Sequence, residues 1–185
     1  MVSGFPCIQT KPISMSNLIL DKIRIANVGN AAPDFNLKNE KGEDWSLADK
    51  RGRVVALLFY PRDETLVCKR QMCSLRDHWT EYVDTGAEIV GISPGTIESH
   101  LRFAENHKIP IPLLADADHN VTKMYSHHWL MPSIVTRAIV VIDANGIVRS
   151  RKIMLRTFRP TDKEVIVAIR FAQTDLMMEE WLSKK

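Results

Sequence analysis

The sequence predicts an α/β protein with a mixed central β-sheet flanked by helices. Short apolar segments typical of buried strands alternate with segments of helical periodicity along most of the 185 residues. Near the end of this series, Asn145 and Gly146 form a residue pair favoured in tight hairpin turns, which predicts that the strands on either side are antiparallel. The content of 45% hydrophobic and 25% charged residues fits one folded domain.

The predicted elements follow one another in a regular order. The strands are short and mostly apolar, and a turn at residues 39–42 follows the first of them. They cover residues 29–37, 53–60 (RVVALLFY), 87–93 (AEIVGIS), 111–116, 137–143 (RAIVVID) and 147–155. The helices lie between or after them, at about residues 66–83, 96–107, 121–127 and 165–181. In the last helix, one partly apolar face is predicted to contain Val165, Ile166, Ile169, Phe171, Leu176 and Trp181. This order fits a thioredoxin-like layout.

The start of the chain differs from the rest. Residues 1–25 show no periodic pattern and are predicted to be an irregular N-terminal extension, so that the domain covers residues 26–185. Pro6 and Pro12 interrupt any apolar signal-peptide core, which argues against secretion and favours a cytoplasmic location. The serines and the scarcity of acidic residues keep an organellar transit peptide open as an alternative, with Met15 as an alternative start.

Composition argues against several classes of partner. The 25 basic and 22 acidic residues give a formal charge of +3, which is too balanced to indicate a nucleic-acid or membrane partner. The longest apolar runs are far shorter than the roughly 20 residues that span a bilayer. Cys7, Cys68 and Cys73 are too few for a structural disulfide framework, so we interpret them as intracellular thiols and Cys7 as a bystander.

The segment PRDETLVC, from Pro61 to Cys68, joins a predicted strand to a predicted helix. Thr65 is a good N-cap residue, which places Cys68 at the third helical position. Free backbone N–H groups and the positive end of the helix dipole favour a thiolate there. Cys68 is therefore a candidate nucleophile.

Cys73 lies five residues further along the same predicted helix. On a regular helix this spacing separates the α-carbons by about 8 to 9 Å. A disulfide usually needs less than about 7 Å. Bridging Cys68 and Cys73 would therefore require local unwinding of the helix.

Two other interpretations of these cysteines stay open on the residues alone. Free cysteines are often simply small buried hydrophobic residues. A zinc site formed by Cys68, Cys73 and His78 is a second alternative, although the spacings match no common zinc pattern and the sequence offers no evident fourth ligand.

The segment also resembles a known family. Pro61, Thr65 and Cys68 match the peroxiredoxin signature of proline, three residues, threonine or serine, two residues and the peroxidatic cysteine. Cys73, followed by SLRD, resembles the bacterioferritin-comigratory (Q-type) subgroup, whose resolving cysteine lies five residues downstream. Further segments resemble the family in the expected order, namely APDFNL, GAEIVGISP, ESHLRFAENH, PLLAD and RAIVVIDANGIVR.

The resemblance implies a thioredoxin-like fold and a thiol-dependent peroxidase. Cys68 would attack hydrogen peroxide or an organic hydroperoxide and become a sulfenic acid, and Cys73 would then close a disulfide with it. Thr65, the Cys68 backbone N–H and Arg137 would donate hydrogen bonds to the peroxide, and Pro61 would shape the pocket and keep water from the thiolate. Without the resemblance, an arginine such as Arg137 at the start of a strand would more often be a solvated surface charge.

The same resemblance implies the partners. A thioredoxin or glutaredoxin-like dithiol donor would reduce the disulfide, and no metal, haem or flavin is implied. A monomer is expected, with a dimer as the alternative.

The chain departs from the subgroup pattern close to Cys68. Leu66 and Val67 stand where Pro-Gly is usual, and Lys69 and Gln71 occupy positions often filled by Thr and Glu. These changes concern the shape of the pocket, the preferred peroxide and the reducing partner. All six histidines are predicted to be at the surface or only partly buried.

Two other functions compete with the peroxidase. A thioredoxin-like disulfide reductase would share the fold, but its usual Cys-x-x-Cys pair is absent. A non-catalytic thiol redox sensor would use the two cysteines slowly, and it would not need the peroxide-stabilising Thr65 and Arg137.

Overall fold

The fold is described by a computed structural model for residues 25–127 and 136–183. Cys7, Met15 and nearly all of the predicted N-terminal extension lie outside the described residues. The boundary between that extension and the domain therefore stays a prediction. Within the described residues, no helix has both the length and the apolar character needed to cross a membrane.

The observed elements follow the predicted order, except that the first strand is limited to residues 36–38 and a further strand at residues 44–46 follows the predicted turn. The strands are β1 (Asn36–Lys38), β2 (Asp44–Ser46), β3 (Val55–Phe59), β4 (Glu88–Ser93), β5 (Leu113–Ala115), β6 (Thr136–Ile142) and β7 (Val148–Leu155). The α-helices are α1 (Leu66–Asp77), α2 (Trp79–Val83), α3 (Ile97–His107), α4 (Asn120–Tyr125) and α5 (Asp162–Ser183), and a 3-10 helix covers Ala48–Lys50.

The strands form one mixed sheet in the order β2-β1-β5-β4-β3-β6-β7. The central strands β3, β4 and β5 are parallel to one another, as expected for strands joined by helical crossovers. Strand β6 is antiparallel to both β3 and β7, and β1 is antiparallel to both β2 and β5. The predicted mixed sheet is confirmed.

The sheet is covered on both faces, and the alternation of side chains along β3 shows how. Ala56 and Leu58 point into a core that also contains apolar residues of α1, α2, α3 and α5. Val55, Leu57 and Phe59 point to the opposite face, where they pack against α4 and the segment around the 3-10 helix. Because both sets are buried, β3 has the continuous apolar sequence of a strand in a parallel sheet.

Two helical details differ from the prediction. The helix expected over residues 66–83 is divided at His78, whose backbone leaves the helical region with φ −105° and ψ 20°. The bend lets Tyr82 bury its side chain, so tertiary packing overrides local helical propensity. In α5, Val165, Ile166 and Ile169 of the predicted partly apolar face are buried, whereas Phe171 and Trp181 are 56% and 55% exposed.

The hairpin between β6 and β7 forms where the Asn-Gly pair predicts it. Gly146 has φ +82°, whereas Asn145 is not among the residues with positive φ. The backbone N–H of Gly146 donates to the carbonyl of Asp143, and the N–H of Asp143 donates to the carbonyl of Ile147. The connection is therefore longer than a two-residue turn, and only the glycine adopts the left-handed conformation.

Candidate active site

The strand, loop and helix around Cys68 adopt the predicted geometry. Strand β3 ends at Phe59, and α1 begins at Leu66 with Thr65 as its N-cap, which has the extended backbone angles φ −70° and ψ 146°. The Thr65 Oγ1 atom accepts a hydrogen bond from the backbone N–H of Cys68 at 3.4 Å. Cys68 is therefore the third residue of the helix, and its side chain is fully buried in the first turn.

The sheet brings Arg137 to this cysteine from a distant part of the chain. Strands β3 and β6 are antiparallel, and their register pairs Phe59 with Ala138. Arg137 therefore lies beside the point where β3 leads into the loop before α1. Its side chain is only 1% exposed, and its Nη2 atom donates a hydrogen bond to Cys68 Sγ at 3.0 Å.

The other partners of the Arg137 guanidinium are neutral. Its Nη1 atom donates to Gln71 Oε1 at 2.6 Å, and its Nε atom donates to the carbonyl of Arg156 at 3.3 Å. Within the described chain, no ion pair joins Arg137 to a carboxylate. A buried cation needs a compensating charge or a full set of hydrogen bonds. The sulfur of Cys68 is the contacting atom that can supply the negative charge.

A cavity of about 410 Å³ opens beside these residues. Its lining consists of Pro61, Arg62, Thr65, Val67, Arg137, Arg156 and Thr157. Three of the predicted site residues thus share one cavity, and the buried Cys68 contacts two of them. A cavity of about 450 Å³ between β1 and the start of α3 is larger, but no cysteine, histidine or arginine lines it, so we regard the smaller one as the candidate site.

Cys73 is separate from this cavity in the observed conformation. It is partly exposed, it carries a free thiol, and it lies on α1, which is helical from Leu66 to Asp77. The regular helical spacing again puts its α-carbon about 8 to 9 Å from that of Cys68. The structure therefore shows the two cysteines on one helix but not in disulfide geometry.

A buried polar network that was not predicted from the sequence supports the loop before α1. His100, on α3, is fully buried, so the prediction that all histidines are exposed or partly buried is wrong for this residue. Its Nδ1 atom lies 2.8 Å from Asp63 Oδ2, and its Nε2 atom lies 3.2 Å from the carbonyl of Leu114. Ser99 and Tyr60 also donate to the Asp63 carboxylate.

This network fixes the charge and the position of Asp63, two residues before the Thr65 cap. Burial tends to raise the pKa of Asp63, but hydrogen bonds from His100 and Ser99 outweigh it, so the pKa is lowered. Burial and the neighbouring Asp63 raise the pKa of Tyr60. The helical spacing of His100 and Phe103 on the buried face of α3 is the sequence signal that could have identified the histidine.

Comparison with known proteins identifies the family. The model of the AhpC/TSA family matches residues 28–151, which is more than half of the chain. The chain belongs to the AhpC/TSA family. Curated relatives include proteins named chloroplastic peroxiredoxin Q from three plants. The one from Sedum lineare is 39% identical over 126 residues, the one from Arabidopsis thaliana 38% over 141 and the one from Suaeda salsa 34% over 151.

The extent of these matches is similar in all three cases. They cover 65%, 74% and 79% of this chain and 66%, 62% and 67% of the respective relatives. The chain thus spans about two thirds of the length of the curated relatives it matches. The predicted membership of the peroxiredoxins, in the Q-type subgroup, is confirmed.

Solved structures of the family share the fold. Peroxidoxin BcpB from Mycobacterium tuberculosis superposes with a TM-score of 0.67 at 27% identity, over 78% of this chain and 97% of that one. The reduced 2-Cys peroxiredoxin of Plasmodium vivax superposes with a TM-score of 0.70 at 26% identity, over 80% of this chain and 82% of that one. Together with the mixed sheet, these matches confirm the predicted thioredoxin-like fold.

Proposed function

We propose that this chain is a thiol-dependent peroxidase in which Cys68 is the nucleophile. The observation that carries the proposal is the hydrogen bond of 3.0 Å from the buried Arg137 guanidinium to Cys68 Sγ. Membership of the AhpC/TSA family supports the same activity. The roles of the individual residues below are part of the proposal.

In the first step, the Cys68 thiolate attacks the terminal oxygen of hydrogen peroxide or an organic hydroperoxide. A sulfur–oxygen bond forms while the oxygen–oxygen bond breaks, giving a sulfenic acid and water or an alcohol after the leaving oxygen takes up a proton. Arg137 donates a hydrogen bond to the sulfur before the attack. It then stabilises the charge that develops on the peroxide oxygens, with the Thr65 hydroxyl as a second donor.

The Cys68 backbone N–H is the third donor in this scheme. In the observed structure it is directed to Thr65 Oγ1, but the distance of 3.4 Å is long for a hydrogen bond. A peroxide oxygen that enters beside Thr65 can therefore compete for this N–H. Pro61 lines the same cavity and supplies an apolar wall that limits the access of water to the sulfur.

In the second step, Cys73 attacks the sulfenic acid of Cys68 and water leaves. The two residues are too far apart on the intact helix for a disulfide, so α1 must unwind locally first. A dithiol protein such as thioredoxin or a glutaredoxin-like donor then reduces the disulfide by thiol exchange. We propose a monomer as the working form, and light scattering on the purified chain tests this.

The location is a separate part of the proposal. The plant relatives named above are described as chloroplastic, which supports an organellar location for this chain. Sequence alone favours the cytoplasm. Imaging of the complete chain fused to a fluorescent protein at its C-terminus distinguishes the two locations.

The activity is tested by stopped-flow measurement of peroxide consumption by the reduced protein. Cys68→Ser should abolish fast consumption, whereas Cys73→Ser should still consume one equivalent and accumulate a sulfenic acid. Mass spectrometry should show one added oxygen on Cys68 of the Cys73→Ser variant. Unchanged fast consumption by Cys68→Ser would exclude this cysteine as the nucleophile.

The same assay separates the competing functions. A disulfide reductase would reduce a protein disulfide rapidly and react with peroxide only at the rate of an ordinary thiol. A redox sensor would form the disulfide between Cys68 and Cys73 slowly and without turnover in the presence of a dithiol reductant. Either result would overturn the proposed peroxidase function.

A further inference from the structure

One carboxylate ties the half of α1 that carries Cys73 to its neighbours. Asp162, the first residue of α5, accepts a hydrogen bond from Ser74 Oγ through its Oδ2 atom at 2.5 Å. Its Oδ1 atom accepts from the Tyr82 hydroxyl of α2 at 2.8 Å, and His78 Nδ1 lies 3.7 Å from Oδ2. Ser74 directly follows Cys73, so this contact lies next to the proposed second cysteine.

Closure of the disulfide requires one end of the helical segment between the cysteines to move. Cys68 is fully buried, its Sγ accepts a hydrogen bond from Arg137, and its backbone is capped by Thr65. Cys73 is partly exposed and its thiol is free. Of the two cysteines, Cys73 is therefore the one whose own side chain is less constrained, and we take its end of the segment as the end that moves.

Ser74 cannot keep its contact when Cys73 moves. The α-carbons have to approach by about 2 Å to reach disulfide geometry. Adjacent α-carbons are held about 3.8 Å apart by the peptide unit. Once the segment unwinds, the helix no longer holds Ser74 in place, so we expect displacement of Cys73 to shift Ser74 and to lengthen its hydrogen bond to Asp162 beyond bonding distance.

We propose that the hydrogen bond between Ser74 and Asp162 sets the rate of disulfide closure. It holds the Cys73 half of α1 in its helical form and so prolongs the lifetime of the Cys68 sulfenic acid. This inference rests on the proposed peroxidase function. Ser74 and Asp162 are positioning residues, because they act through the helix and not on the sulfur atoms.

Closure of the disulfide between Cys68 and Cys73 needs no further reactant. The sulfur of Cys73 attacks the sulfur of the Cys68 sulfenic acid, so that a sulfur–sulfur bond forms and the sulfur–oxygen bond breaks. The hydroxyl group leaves and combines with the proton of the Cys73 thiol as water. Unwinding of α1 precedes this attack. A contact that stabilises the helical form reduces the population of the unwound form, and it lowers the closure rate by the same factor.

Ser74→Ala is the variant that tests the proposal. Ser74 donates to a carboxylate, so removal of this hydrogen bond should speed closure about tenfold to 150-fold. The rate of Cys68 oxidation should not change, since its contacts with Arg137 and Thr65 are retained. Faster closure should also reduce the fraction of Cys68 that excess peroxide converts to sulfinic acid.

A matched control removes a similar contact on the opposite face of the sheet. The Thr122 hydroxyl of α4 donates to Asp116 Oδ2 at 2.6 Å, and both residues are buried. Thr122→Val should lower the stability of the fold but leave the closure rate as it is in the parent. An equal acceleration in Thr122→Val would show general loosening and would overturn the proposal.

The measurement uses the complete reduced chain mixed with one equivalent of hydrogen peroxide. Tryptophan fluorescence follows the reaction in real time, since Trp79 stacks on Tyr82 next to α1. Quenched samples trapped with dimedone and analysed by mass spectrometry separate the sulfenic acid from the disulfide. The absence of any fast oxidation of Cys68 in the parent would refute the proposed function itself.

A second pair of variants isolates the interaction. Asp162→Ala should accelerate closure at least as much as Ser74→Ala, and the double variant should be no faster than Asp162→Ala. Normal oxidation of Cys68 combined with parental or slower closure in Ser74→Ala would overturn the inference while leaving the peroxidase function intact. Additive effects of the two substitutions would also contradict it.

Discussion

Replacing Arg137 with methionine would remove the guanidinium from the buried site while keeping an unbranched side chain. The guanidinium donates to Cys68 Sγ at 3.0 Å, and both residues are almost inaccessible to solvent. Water therefore cannot take over the hydrogen bond in the variant without a rearrangement. We expect Arg137→Met to react with peroxide much more slowly than the parent.

The size of the effect follows from these contacts. A hydrogen bond to a charged group contributes about 1.5 to 3 kcal/mol, which corresponds to a factor of about 10 to 150 in rate. In the proposed mechanism the same guanidinium also stabilises the reacting peroxide, and loss of one such donor costs about 100-fold to 1000-fold. We therefore expect the second-order rate constant to fall at least about 100-fold.

The assay is the burst of peroxide consumption by the reduced protein in a stopped-flow instrument. Arg137→Lys retains the charge but cannot reproduce the forked contact with Cys68 and Gln71, so its rate should be intermediate. Arg53→Met is the matched control, because Arg53 is exposed and lies at the opposite end of β3 from Pro61. This control should react at the parental rate.

Unfolding measurements accompany the kinetics. Arg137→Met leaves Gln71 Oε1 and the Arg156 carbonyl without their observed donor, which should cost about 1 to 3 kcal/mol of stability. The reasoning would be refuted if a folded Arg137→Met variant consumed peroxide within about threefold of the parent. Equal losses of rate in Arg137→Met and Arg53→Met would also refute it, since a specific contact would then not be responsible.

Capping, packing and charge elsewhere in the chain give three more predictions. Thr65→Val should lower the free energy of unfolding by about 0.5 to 2 kcal/mol through loss of the N-cap, as measured by urea unfolding. It should also slow peroxide consumption in the stopped-flow assay, whereas Thr65→Ser should retain the parental stability and the parental rate. Gly91→Ala should destabilise the protein by about 1 to 3 kcal/mol, because a Cβ atom would lie 2.7 Å from Leu113 Cδ2, and an unchanged melting temperature would contradict this. A hydrogen bond from Lys152 lowers the pKa of Glu164 from 4.5 to about 2, so Glu164 stabilises the fold above pH 4.5 and this contribution is lost as the pH falls toward 2. In urea unfolding at low ionic strength, Glu164→Gln should flatten the dependence of stability on pH in that window, by a small amount since the pair is largely exposed.

The local parts of the fold and of the site could be predicted from the sequence. The apolar run of β3 and the capping preference of Thr65 each depend on neighbouring residues in the chain, and both appear in the structure as expected. The same is true of Cys68, whose place in the first turn of α1 is determined once Thr65 is the cap. These features need no information about distant contacts.

Other features depend on residues that are far apart in sequence. The break at His78 and the exposure of Phe171 and Trp181 follow from how the helices pack on the sheet, and propensity within each helix does not encode that. The burial of His100 depends on Asp63, which reaches it from the loop before α1. No single segment contains both members of this pair.

What the sequence by itself determined is the position of a cysteine at the start of a helix and the family to which that motif belongs. Only the tertiary structure decided what surrounds the sulfur, because the register of β3 on β6 brings Arg137 to Cys68 and directs its remaining donors to Gln71 and a backbone carbonyl. Helix caps and strand patterns arise from interactions between near neighbours in the chain. A buried hydrogen bond between residues 69 positions apart exists only after the sheet has closed and excluded water from both partners.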